Sequence, residues 1–189
     1  MKVQLFHGDI SQVSAEGLVC PVDGAIAVLG GPAAAIALKR SFAVDERDEL
    51  FGYLEEDVRR LRPICDGEAK IVPGEGKWDW LVVVAALPHH VNDTIIGEDY
   101  FANILERSII SGIRASVQKG VKSIAMTVIG SSYRLPVASC ILSSVNGIKK
   151  CQQDNIDIIW CFLERGQLVQ AEKLLVQAGV YFSCTTVDD

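Results

Sequence analysis

The sequence predicts an α/β fold, with helices on both faces of a mixed sheet. Short apolar runs alternate with helix-length amphipathic stretches along most of the chain. The run at 80–87, Trp-Leu-Val-Val-Val-Ala-Ala-Leu, is almost continuously apolar, as a central strand covered on both faces is. Loops bearing Gly or Asp follow strands at 7–9, 21–31 and 129–135, and sheets of this class bind ligands beyond the carboxyl ends of their strands.

The bulk numbers fit one domain over residues 1–189. Hydrophobic content is 49%, charged content 22% and mean hydropathy +0.25, enough for a substantial core and unlike a disordered chain. No apolar run reaches membrane-spanning length, and 156–162 is short and interrupted by Asp157. Residues 1–4 lack a signal-peptide core, so a cytoplasmic protein is expected, with no membrane partner. A net charge of −6 argues against a nucleic-acid partner, which needs a basic face. It leaves room for a small phosphate-bearing ligand held by backbone amides. The 6 cysteines form no C-x-x-C pair. Without a secretion signal they are expected to be reduced, and small apolar core residues in character.

The elements follow in order. Residues 2–6 and 17–20 read as strands, the second stopping at Pro21. Pro32 opens an Ala-rich helix to about Phe42, since proline suits the first helical position. Residues 45–62 carry Leu50, Phe51, Leu54, Val58 and Leu61 at helical spacing on a charged background, a surface helix closed by Pro63. Residues 67–72 and 80–87 are strands around a turn at 73–76. Residues 89–99 read as a polar loop, then 99–119 as a long helix stopped by Gly120. The rest reads as a strand at 123–128, a helix from Pro136 to about Gln152, a strand at 156–162, a helix at 166–178 and a last strand at 180–184.

The order of these pieces resembles the macro domain. That family starts with a strand and Gly-Asp-Ile, here Gly8-Asp9-Ile10. A second strand then enters a loop that carries Asn in the family and Asp23 here, followed by a glycine turn into a helix, here Gly30-Gly31-Pro32. Gly67-Glu68-Ala69, the strand from Val82 to Pro88, and Ser123-Ile124-Ala125 ahead of Gly130-Ser131-Ser132-Tyr133 continue the match over about 2–165. The N-terminal domain of leucine aminopeptidases has a similar fold and is the competing resemblance. The likeness implies a three-layer α/β/α macro-like fold. It further implies a module that binds ADP-ribose or an ADP-ribosylated protein, without a metal or redox cofactor. Some family members hydrolyse the ADP-ribose ester or a terminal phosphate. The first glycine run is two residues long, and the second loop has Gly130-Ser131-Ser132 in place of Ser-Thr-Gly. Binding therefore ranks above hydrolysis, and a structural or interaction domain with a degenerate pocket is the other alternative.

Each candidate residue carries two readings. The Asp9 carboxylate can accept from an exocyclic amine, the role the family gives it for adenine, or cap a turn before Ser11. Gly8 and Ile10 flank it in the same motif. Gly30 and Gly31 open backbone N–H groups toward a diphosphate, or form an ordinary helix entry. Gly130, Ser131, Ser132 and Tyr133 wrap a diphosphate and a sugar or base, or form a plain strand-to-helix turn. Asp23 orients ribose hydroxyls or serves as general base for water, which makes it the tentative catalytic residue, or it is a turn residue before Gly24. His89 and His90 point apart on an extended segment and read as a solvated loop. Cys20 as a nucleophile ranks below Cys20 as a buried strand residue.

Overall fold

The computed structural model describes residues 1–27, 29, 32–87, 97–131 and 135–186. Their order is β1 (Lys2–His7), a 3-10 turn (Ile10–Gln12), β2 (Gly17–Val22), α1 (Pro32–Ser41), α2 (Arg47–Arg60), β3 (Ala69–Pro73) and β4 (Trp80–Ala85). Then come α3 (Glu98–Lys119), β5 (Ser123–Met126), α4 (Val137–Lys150), β6 (Asp157–Phe162), α5 (Arg165–Ala178) and β7 (Phe182–Thr186). The expected helices and strands are present, and most boundaries move by one or two residues.

The moved boundaries have local causes. The last strand starts at Phe182, later than expected, because the Val180 N–H is spent on the helix before it. Gly179 is left-handed at φ 71°, and Val180 N–H donates to the Leu175 carbonyl at 2.9 Å. This is a helix C-cap, so Val180 cannot enter the ladder. Gly120 ends α3 the same way, at φ 86°. Glu98, expected in a loop, lies in the first turn of α3, after the N-cap Gly97. Residues 89–96 of that expected loop lie outside the described residues.

The 7 strands form one sheet in the order β3-β4-β2-β5-β6-β1-β7. Only β3 runs antiparallel to its neighbour; the other pairings are parallel. Six strands therefore deliver their carboxyl ends to one rim. β2 continues through Pro21 to Val22, past the expected stop. The carbonyl of Glu16, just before it, and its own Val22 carbonyl accept from Trp80 and Leu87 on the β4 side. Pro21, one residue out of phase, aims its nitrogen toward β5 instead. β2 pairs with β5 only over Gly17 and Leu18, so the missing N–H costs no ladder bond.

Side chains alternate along the strands and split the core in two. Val82 and Val84 of β4 face the layer of α3, α4 and α5. Leu81, Val83 and Ala85 face the layer of α1 and α2. Burying each such large side chain contributes about 1.5–3 kcal/mol. Trp160 and Phe162 of β6 pack with their rings tilted at 45° and 4.9 Å between ring centres, and are fully buried under the first layer. The three layers, α1 and α2 over the sheet over α3–α5, are the architecture expected. Among the described residues no helix is long and apolar enough to cross a membrane.

Candidate ligand-binding site

A cavity of about 400 Å³ opens at the carboxyl rim, over the ends of β1, β5 and β6. Its walls are Gly8, Asp9 and Ile10 after β1, Thr127, Val128 and Ser131 after β5, and Leu163, Glu164 and Gln167 after β6. One face of α1, Ile36, Ala37 and Arg40, closes it from above, and Cys161 lines it from β6. The size suits a small organic ligand.

The Gly8-Asp9-Ile10 corner is built tightly. A Cβ on Gly8 would lie 2.6 Å from the Phe6 ring and 2.8 Å from Gln12 Oε1, so only glycine lets the chain turn here. The Gly8 N–H donates to the Phe162 carbonyl at 2.9 Å, tying the end of β1 to β6. Asp9 is the N-cap of the 3-10 turn, and its Oδ1 accepts the Ser11 N–H at 2.8 Å. Both readings of Asp9 thus meet in one residue: it caps a turn and it faces the cavity. Its Oδ2 lies 3.6 Å from Arg40 Nη1. The Ser11 backbone N–H holds the Asp9 carboxyl below its ordinary value; burial opposes this, and the Ser11 side chain and Arg40 assist it.

The second loop is placed in part. Thr127 and Val128 have left the sheet, because β5 ends at Met126. Gly130 is left-handed at φ 89°, and a Cβ there would meet Cys140 Sγ at 3.2 Å. Ser131 lines the cavity and its Oγ donates to the Val128 carbonyl at 3.0 Å. Gly130 is not among the lining residues, and Ser132 and Tyr133 lie outside the described residues. Gly30 and Gly31 lie outside them too.

Asp23 does what a turn residue does. It is 6% exposed, its Oδ1 accepts the Ala25 N–H at 2.8 Å, and its carbonyl accepts the Ala27 N–H at 2.7 Å. It is not among the residues that line the cavity. Gly24 beside it presses against the Ile64 carbonyl, which a Cβ would approach to 1.9 Å.

The thiols divide by environment. Cys20, Cys140, Cys151 and Cys161 are buried, while Cys65 and Cys184 are exposed, contrary to the expectation of core positions for all of them. Burial pushes the Cys20 thiol up to about 12, which leaves almost no nucleophilic thiolate at neutral pH. Cys161 is likewise pushed to about 12, by burial first and then by the Asp9 charge. Among the described residues no cluster of three His, Cys, Asp or Glu side chains could hold a metal ion.

Sequence reasoning missed the wall after β6. Gly166 in this segment reads only as a helix start, and Leu163, Glu164 and Gln167 carry no ligand-loop signature. They matter because β6 pairs with β1 in parallel, Phe6 opposite Cys161 and His7 opposite Phe162. That pairing is a long-range fact with no local signal. Ile36 and Arg40 were missed for a related reason: a helix face toward a crevice reads like one toward a core.

The same architecture recurs in solved structures. A point variant of the macrodomain of Oceanobacillus iheyensis superposes with a TM-score of 0.71 at 18% identity, covering 92% of this chain and 90% of that one. The chain has the macrodomain fold. The Trypanosoma brucei macrodomain, solved in complex with ADP-ribose, matches with a TM-score of 0.67 at 12% identity over 92% of this chain and 68% of that one. The macro domain of ganglioside induced differentiation associated protein 2 matches at 0.69 and 14% identity, over 94% and 84%. No protein-family model and no curated protein matches the chain. In macrodomain terms, the cavity at Gly8–Ile10 lies where the strand ends of this fold converge.

Proposed function

We propose that this macrodomain binds ADP-ribose or a related nucleotide derivative, free or attached to a protein, in the cavity at the carboxyl rim. The observation that carries this is the position of Asp9. Its carboxylate faces a cavity of about 400 Å³ whose walls are largely apolar: Ile10, Ile36, Ala37, Val128 and Leu163. A largely apolar slot with a fixed carboxylate acceptor at one corner suits a flat heterocycle bearing an amine. Gly8, Ile10, Gly130 and Ser131, with Gly30, Gly31, Ser132 and Tyr133, are the further proposed contacts. The likeness to macrodomains solved with ADP-ribose supports the choice of ligand. Binding ranks ahead of hydrolysis, because Asp23, the candidate base, is not among the residues that line the cavity.

Calorimetric titration of the chain with ADP-ribose tests the reading. Heat of binding with a matching rise in melting temperature is expected. No heat and no thermal shift with ADP-ribose, ADP or NAD would remove it. Release of ADP-ribose from a modified protein, lost in Asp23→Ala, would move hydrolysis ahead of binding.

A further inference from the structure

The cavity's charged lining side chains, among the described residues, are Asp9, Arg40 and Glu164. Asp9 and Arg40 form a pair, Oδ2 to Nη1 at 3.6 Å. We propose that these two residues together read the edge of a purine, so that the site accepts 6-oxopurine nucleotides as well as 6-aminopurine ones. This rests on the nucleotide-binding reading above and names what selects the base.

A carboxylate alone offers only acceptors. It suits the amine of a 6-aminopurine and repels the carbonyl of a 6-oxopurine. A guanidinium beside it changes the pattern. Arg40 brings up to five N–H donors in a planar fork, held on the cavity face of α1 one turn after Ile36. The pair then presents an acceptor next to a donor. A 6-aminopurine matches it with its amine N–H toward Asp9 and a ring nitrogen toward Arg40. A 6-oxopurine matches it after shifting one position along its edge, with N1–H toward Asp9 and O6 toward Arg40.

The pair is also free to open. The Arg40 side chain is 63% exposed and that of Asp9 37%, and such solvated pairs are weak. Oδ1 keeps its bond to the Ser11 N–H, so the carboxylate stays oriented when Arg40 swings to a base. Arg40 lies near the end of α1 and is largely solvent-facing, so replacing it leaves the core intact.

The test is calorimetric titration of the full chain with ADP-ribose and with its deaminated form, inosine diphosphate ribose, which differs only at purine position 6. In the wild type the two dissociation constants are expected within about threefold of each other. In Arg40→Met the inosine form should weaken roughly tenfold more than the adenosine form, because its O6 carbonyl is then left unpaired beside the Asp9 carboxylate, whereas the adenosine form still meets that carboxylate with its amine. Arg40→Lys should restore part of the difference, and melting curves check that each variant folds. A wild type that prefers the adenosine form more than about tenfold, or a ratio unchanged in Arg40→Met, overturns this proposal alone. A wild type that binds neither overturns it together with the nucleotide-binding reading.

Discussion

Asp9 has a structural duty and a proposed ligand duty, and two substitutions separate them. Asp9→Ala removes the acceptor for the Ser11 N–H at the start of the 3-10 turn. Loss of such a cap costs about 1 kcal/mol. The ion pair to Arg40 adds little, since both side chains are well exposed. For a chain of 189 residues, 1 kcal/mol lowers the melting temperature by about 2–4 °C. Asp9→Asn keeps a capping oxygen, so its melting temperature should stay near wild type. Binding should respond differently. A hydrogen bond to a charged acceptor contributes about 1.5–3 kcal/mol, a loss of roughly 10–150-fold in affinity for ADP-ribose in both variants. Differential scanning fluorimetry and calorimetry read the two effects independently. An Asn variant that binds ADP-ribose within about threefold of wild type would refute the ligand role, since the charged contact is worth far more than that. The pH dependence has a definite sign. The folded carboxyl lies below its ordinary value of 3.8, so its stabilisation is present above that pH. It is lost as pH falls through the lowered folded value.

Other positions give independent tests. Leu163→Asp sets a charge at the cavity wall on a side chain 70% exposed, so it should weaken ADP-ribose binding by about tenfold or more while the melting temperature holds; unchanged binding would remove the β6–α5 turn from the site. Gly24→Ala forces a Cβ to 1.9 Å from the Ile64 carbonyl and should destabilise the fold by about 2–3 kcal/mol in urea denaturation. A change under about 1 kcal/mol would mean that the β2–α1 turn yields easily. In native thiol labelling at pH 8 read by mass spectrometry, Cys65 should react first. Cys184 should lag, because partial burial of its sulfur and then the Glu172 carboxylate push its thiol to about 11. Cys20 and Cys161 should stay protected until unfolding, and early labelling of Cys20 would contradict its buried position.

Much of the architecture was legible because it is written in local chemistry. The unbroken apolar run of β4 announces a strand covered on both faces, and Gly120 and Gly179 mark real left-handed helix ends. Errors arose where one residue serves two elements. Pro21 looked like a strand stop, yet its nitrogen faces the gap where β2 has left β5. Val180 looked like strand, yet its N–H closes the preceding helix. At the site, Gly8-Asp9-Ile10 was visible because a glycine and a carboxylate at a strand end are unusual. Arg40, Leu163 and Gln167 were invisible, because only the parallel pairing of β6 with β1 and the packing of α1 bring them there.

The place of β1 in the sheet has a kinetic consequence. It precedes the other described strands in the chain, yet its two neighbours are the last two of them: Lys2 pairs with Asp157, and Val3 with Phe182. During synthesis β1 must wait without a strand partner until β6 has emerged, more than 150 residues later. Closing so long a loop is slow, and an unpaired strand invites wrong partners meanwhile. The Gly8 N–H also finds its acceptor, the Phe162 carbonyl, only then. The Asp9 corner is therefore among the last parts to take shape, and ligand binding during refolding would report completion of the whole sheet rather than the arrival of any one element.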